Sequence, residues 1–318
     1  MAEHIDPSTL LLADRIRPYA GRRGLGKPET MQIVYAVGRF ERYLKRAPTL
    51  ADLNATTMNE WLLSMQEEGR SPKTVKNNRG RVLCLWNDAL DEGVIDNEPR
   101  RLRKVKILRW IPTAWSPEEV ARLLEAARKV PGRFLKSRVV KSCFWEAFVL
   151  FQWDTALRLG DVLRVETATV RGQNVFRIVQ SKTDDVVACQ LRPETLAAIE
   201  ATYPPDRKRV FGSALSRNRT MKGFRRLIES AGLSRETGTT RMLRKSSATA
   251  VEALHPGAAM RHLGHRTPGL AYKHYVDPRF ISEAKPIAPA LPGMAATAEA
   301  DEVYDCLFDD GQEGGPTP

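Results

Sequence analysis

Only one part of this 318-residue chain reads as β-structure: the runs Val175 to Val179 and Val186 to Leu191, joined by the polar stretch Ser181 to Asp185. Short β-prone runs with a polar connection of that length predict a hairpin. On both sides of it, apolar residues recur at helical spacing. A large sheet is therefore excluded, and the expected class is mostly α with one small β-hairpin.

Helix punctuation divides the rest. Residues 1–29 form a mixed segment ending in Gly21-Arg-Arg-Gly-Leu-Gly-Lys27, expected as a mobile leader. A helical domain is expected over residues 30–97. Within it Thr57-Met-Asn-Glu60 has the pattern of a capping box, and Ser71-Pro72 pairs an N-cap with a first-turn proline. Val75, Val82, Trp86, Ala89 and Leu90 then share one face, with Lys73, Lys76, Asn77 and Arg81 largely away from it. Residues 98–115 are expected as a basic linker carrying Pro99 and Pro112. Ser116-Pro117-Glu118-Glu119 opens a second domain, 116–284, with helical pattern over Val120 to Ala127, Phe134 to Phe151, Glu194 to Ala201, Lys222 to Ser230 and Leu243 to Ala253. A proline-rich and acidic tail, 285–318, follows, in which Glu299 to Asp310 is compatible with a short amphipathic helix.

Lys and Arg exceed Asp and Glu by 50 to 38, a formal charge of +12. Such a surplus favours a polyanionic partner, because each neutralised phosphate releases condensed counterions. The distribution sharpens this: Arg100, Arg101, Arg103, Lys104, Lys106 and Arg109 crowd one short segment. No apolar run is long enough for a bilayer and no signal peptide is evident, so a cytoplasmic protein is expected. Cys84, Cys143, Cys189 and Cys306 are too widely spaced for a CxxC metal pair, so packing cysteines and no metal are expected.

The chemistry concentrates near the end. Arg241-Met-Leu-Arg244, His262-Leu-Gly-His265 and Lys273-His274-Tyr275 follow one another, and four of the five histidines fall between residues 255 and 274. Upstream stand Thr155-Ala-Leu-Arg158-Leu-Gly-Asp161 and, in the hairpin turn, Ser181-Lys182-Thr183. Arginines that clamp an anion, a lysine and histidines that move protons, and a hydroxyl that attacks are the parts for breaking a phosphodiester.

This ordered series resembles the tyrosine recombinases, or phage integrases, over about residues 30 to 276. The resemblance implies a helical core-binding domain followed by a mixed α/β catalytic domain. It implies Arg158 and Arg244 as phosphate clamps, Lys182 as the acid that protonates the leaving 5′ oxygen, His265 as a phosphate donor and Tyr275 as nucleophile. Lys73, Lys76, Arg81, Arg100, Arg101, Arg103, Lys104 and Lys106 would contact the backbone of double-stranded DNA. The family acts as a homotetramer on paired sites and needs neither ATP nor a metal cofactor. Two departures stand out. Arg241 occupies the usual histidine position of the second box, so it is expected to bind phosphate, since a guanidinium is no base near neutrality. The family's tyrosine usually lies nine residues beyond the Leu-Gly-His histidine, whereas Tyr275 lies ten beyond His265 and Tyr272 seven. The alternatives are a type IB topoisomerase, which reseals the strand it cut, and a non-catalytic DNA-binding relative.

Overall fold

A computed structural model describes residues 6–107, 111–202, 207–234 and 239–281. The chain divides into two compact units, Met1–Arg109 and Trp110–Pro318.

The first unit is a helical bundle of α1 (Ile16–Arg22), α2 (Lys27–Leu44), α3 (Ala55–Glu67) and α4 (Pro72–Asp91). Met58, Trp61, Leu62 and Met65 of α3 and Val75, Val82, Leu85, Trp86 and Ala89 of α4 are buried, the one-face spacing of amphipathic helices. Phe40 of α2 meets Trp61 with ring centroids 4.9 Å apart. Ser71 caps α4 as expected, its side chain accepting from the Thr74 N–H.

Three expectations change here. The N-cap of α3 is Asn54, not Thr57: its side chain accepts the Thr57 N–H at 3.0 Å, so the helix starts earlier. The segment 1–29 is no mobile leader over its described part. A 3-10 turn at Leu12–Arg15 and α1 bury Leu12, Ile16 and Tyr19 in the bundle, because these apolar residues have a core to enter. Nor is 98–115 one linker. Leu102 and Val105 pack on the first unit's core, and Asn59 holds Arg101 and Arg103 by their backbone, whereas Ala114 and Trp115 are buried in the second unit.

The second unit opens with α5 (Pro117–Arg128), where Ser116 and Glu119 form the expected reciprocal capping box. Next come α6 (Lys141–Thr155), α7 (Leu159–Val162), α8 (Thr167–Val170), β1 (Val175–Val179) and β2 (Val186–Gln190). Then follow α9 (Pro193–Thr202), α10 (Arg217–Ser230), α11 (Thr240–Leu254), α12 (Ala259–Leu263) and α13 (Pro268–His274). Helix α6 begins seven residues later than the Phe134 start expected, because Arg138 (φ 59°) is left-handed and breaks the helical run. The hairpin pairs β1 and β2 antiparallel with Phe176 opposite Cys189, both facing the core. Phe151 of α6 stacks on Phe176 at 5.7 Å, which ties the sheet to an aromatic core of Phe144, Phe148, Phe211 and Phe224. A separate cluster of small residues, Ala156, Ala248, Ala259 and Ala271 with Leu263, Tyr275 and Val276, packs the last helices onto α11. The acidic tail, including Glu299 to Asp310, lies outside the described residues. No helix of the described residues is long and apolar enough to cross a membrane.

Candidate active site

The site is assembled where the turn after α6, the hairpin turn and the turn after α12 meet. Helix α6 stops at Thr155 because Ala156 adopts a left-handed conformation (φ 45°), and two residues later Arg158 takes the N-cap position of α7. Arg158 Nη1 donates to Gln180 Oε1 at 2.5 Å. Gln180 is fully buried (0% exposed) where β1 enters its turn, and its Nε2 donates to the Leu263 carbonyl at 3.1 Å. Arg244 Nη2 donates to that same carbonyl at 3.0 Å, while its Nη1 donates to the Ala156 carbonyl. The two arginines are thus linked through one glutamine and one peptide.

The Leu-Gly-His run has a steric reason. Gly264 is left-handed (φ 63°), and a Cβ there would sit 2.5 Å from Val187 Cγ2 and 2.7 Å from Gln180 Nε2. Only glycine lets the hairpin close against this turn.

Around Tyr275 the charges are one-sided. Its ring is 8% exposed, with Arg244 Cζ 5.0 Å and Arg241 Cζ 5.5 Å from the centroid, and the His265 ring is 5.0 Å away. Burial alone would raise the phenol's pKa, but Arg244, Arg241 and Arg158 outweigh it and leave it below the usual value. Arg244 is 1% exposed, and burial, only partly offset by Tyr275, pulls its guanidinium down to about 10. No carboxylate pairs with it among the described residues, and its Nε is buried without a partner. His265 Nδ1 is likewise buried and unpartnered. Burial, then Arg244, Arg158 and His274, lowers His265 to about 4, so it is neutral near pH 7.

The neighbouring groups are satisfied. His262 Nε2 lies 2.7 Å from the Ser247 hydroxyl and is lowered to about 4 by burial and then by Arg244 and Arg192, a packed histidine. Tyr272 is 47% exposed and donates its hydroxyl to Glu252, which with burial raises its pKa.

Lys182 is exposed on the hairpin turn. That turn is fixed by Asp161, whose buried Oδ1 accepts from the Ser181 N–H at 2.9 Å and from Arg164 at 2.8 Å. Burial opposes the Asp161 charge, but these donors outweigh it and hold the carboxyl below its usual range. The structure thus brings Arg158, Arg241, Arg244, His265 and Tyr275 together, with Lys182 on the adjoining turn. Lys73, Lys76, Arg101, Arg103, Lys104 and Lys106 are exposed in the first unit; Arg81 is half-buried, and Arg100 pairs with Glu98 at 2.6 Å. Gln180, Asp161 and Lys245 also shape the site. Asp161 stood within a quoted motif, but a buried glutamine at a strand end carries no sequence signal. Among the described residues no cluster of three or more His, Cys, Asp or Glu could hold a metal ion.

No family model and no curated protein matches the sequence. Solved structures do match. A lambda integrase dimer bound to a COC′ core site gives a TM-score of 0.70 at 19% identity, covering 88% of this chain and 79% of that one. A lambda integrase tetramer bound to a Holliday junction gives 0.65 at 19% identity over 81% and 77%. The XerH site-specific recombinase in a post-cleavage complex with difH gives 0.63 at 22% identity over 78% and 76%.

The fold is that of the tyrosine recombinases. In this chain that fold gathers a tyrosine, an imidazole and three arginines in the second unit. At these identities the likeness is one of architecture, and the side chains carry the chemistry.

Proposed function

We propose that this protein is a tyrosine-type site-specific recombinase that cuts and rejoins double-stranded DNA through a 3′-phosphotyrosine. The observation that carries this reading is the buried, carboxylate-free Arg244, its Nε without a partner, beside the unpartnered Nδ1 of His265 and the Tyr275 ring. An unpaired buried charge costs several kcal/mol, and an anion entering the site would offset that cost. A phosphodiester supplies both the charge and the acceptor oxygens that Arg244 Nε and His265 Nδ1 lack.

Arg158, Arg241 and Arg244 hold the non-bridging oxygens, so charge growing on a pentacoordinate phosphorus meets fixed donors. The Tyr275 oxygen attacks phosphorus, the bond to the 5′ oxygen breaks, and Lys182 protonates that oxygen as it leaves. A free phenol near pKa 10 costs roughly 4 kcal/mol to ionise at pH 7, and the arginines reduce that cost. Attack by the 5′ hydroxyl of another strand reverses the steps, so the bond energy is conserved in the enzyme. Four copies on two paired sites would complete an exchange, with the exposed cations of the first unit holding the backbone.

The test offers the purified protein a pool of nicked, random-sequence duplexes and isolates complexes that survive denaturation in SDS. A duplex joined to Tyr275 by its 3′ phosphate is expected. Absence of any adduct from the wild-type protein overturns the reading.

A further inference from the structure

Tyr275 must lose a proton to attack, and in the recombinase reading the neutral His265 beside it is committed to a phosphate oxygen through its Nδ1. A guanidinium is no base near neutrality, which sets Arg241 aside. His262 is engaged with Ser247.

Helix geometry brings one more group to the tyrosine. Arg241, Lys245 and Thr249 form an i, i+4, i+8 stripe on α11. At one end Arg241 lies over the Tyr275 ring, and at the other the Thr249 hydroxyl donates to the Tyr275 carbonyl at 3.3 Å and accepts the Asp277 N–H at 3.0 Å. Lys245 is the middle residue of this stripe and half-buried, with Tyr275 and Asp277 within its electrostatic reach. It has no ion pair or hydrogen bond among the described residues. The carboxylate within its field, Asp277, is already occupied by the Ala114 N–H at 2.7 Å and the Arg279 guanidinium at 2.7 Å.

We infer that Lys245 takes the Tyr275 proton as the phenolic oxygen bonds to phosphorus, an inference that rests on the recombinase reading above. The proton moves from the phenol to the Lys245 amine while the P–O5′ bond breaks and Lys182 gives a proton to the 5′ oxygen. Lys245 ends as ammonium and Lys182 as amine, and resealing reverses both transfers. The electrostatics agree. The groups facing Lys245 are Arg241 on its own helix and Tyr275 and Asp277 from the following segment; burial first, then Arg241, lowers its pKa against the opposing pull of the other two. The phenol is lowered as well, by Arg244, Arg241 and Arg158 against its burial, which eases loss of its proton.

Two measurements test this. On the DNA-free protein, competitive acetic anhydride labelling across pH, read by mass spectrometry, should give Lys245 a midpoint below the ordinary lysine value of about 10.4. A midpoint at or above that value overturns the inference without any DNA. On the selected nicked duplex, Lys245→Ala and Lys245→Arg should each slow adduct formation about a hundredfold or more. Methylamine should restore Lys245→Ala, more so as pH rises. A wild-type rate and pH profile for Lys245→Arg, which keeps the cation and loses the base, overturns the inference while leaving the recombinase reading intact. No adduct from the wild-type protein overturns both.

Discussion

Two groups of arginines in this molecule have opposite surroundings. In the first unit Arg15 and Arg22 reach Asp88 at 3.0 and 2.6 Å, and both also pair with Glu92. In the second unit Arg158, Arg241 and Arg244 converge on Tyr275 and have no carboxylate partner among the described residues. The first group is discharged by the fold itself; the second is left charged for something the fold does not contain. The same contrast recurs three residues apart. Tyr272 is held by an acid that raises its pKa, and Tyr275 by arginines that lower it. Residue type does not distinguish these pairs; the sign of the neighbouring charge does.

The largest effect that would break this comparison is expected at the tyrosines. Tyr275→Phe should abolish covalent attachment to the nicked duplex while leaving DNA binding in place, and Tyr272→Phe should leave attachment largely unchanged. Mass spectrometry of the trapped adduct decides between them, and a nucleotide on Tyr272 would reverse the assignment.

Replacing the open arginine should separate function from stability. Arg244→Met is expected to slow attachment at least about a hundredfold. Because it removes an unpaired buried charge, it should also stabilise the DNA-free protein by about 1–4 kcal/mol in urea unfolding. Asp88→Asn, which strips a partner from the discharged group, should instead destabilise by about 1–2 kcal/mol. A loss of stability in both variants would mean that the carbonyls of Ala156 and Leu263 suffice for Arg244.

Acid should weaken the fold through the histidines of the open site. His262 and His265 are held at about 4 against an ordinary 6.5. Between those values the unfolded chain binds more protons, so stability falls as pH drops through the window, by up to about 3 kcal/mol per histidine. His262→Gln should remove about half of the decline between pH 7 and pH 4.5. An unchanged slope would place the acid sensitivity elsewhere.

The smallest effect concerns the exposed cations of the first unit. Neutralising Arg101, Arg103 and Lys104 together should flatten log affinity against log salt by roughly 2.7, at about 0.9 for each phosphate no longer neutralised. No change would show that these side chains are simply solvated.

Much of this was legible because it is local. The caps at Ser71 and Ser116, the hairpin and the helical faces each depend on residues within one or two turns of each other. The arginine, histidine and tyrosine boxes were legible as an ordered series, although not their mutual geometry. What sequence hid was non-local. Leu12, Ile16 and Tyr19 leave the leader only because a core exists to receive them. Gln180 matters because a strand end meets a turn 83 residues away. Left-handed Arg138 likewise interrupted a stretch whose apolar spacing favoured helix.

One peptide carbonyl, that of Leu263, receives hydrogen bonds from Gln180 and from Arg244. The hairpin bearing Lys182 and the helix bearing Arg244 therefore share a single latch. A hairpin lifted from that carbonyl would carry Lys182 away and loosen Arg158 in the same movement. In the proposed recombinase, attack by the tyrosine and protonation of the leaving strand would then be enabled together, an interlock against a stray nick.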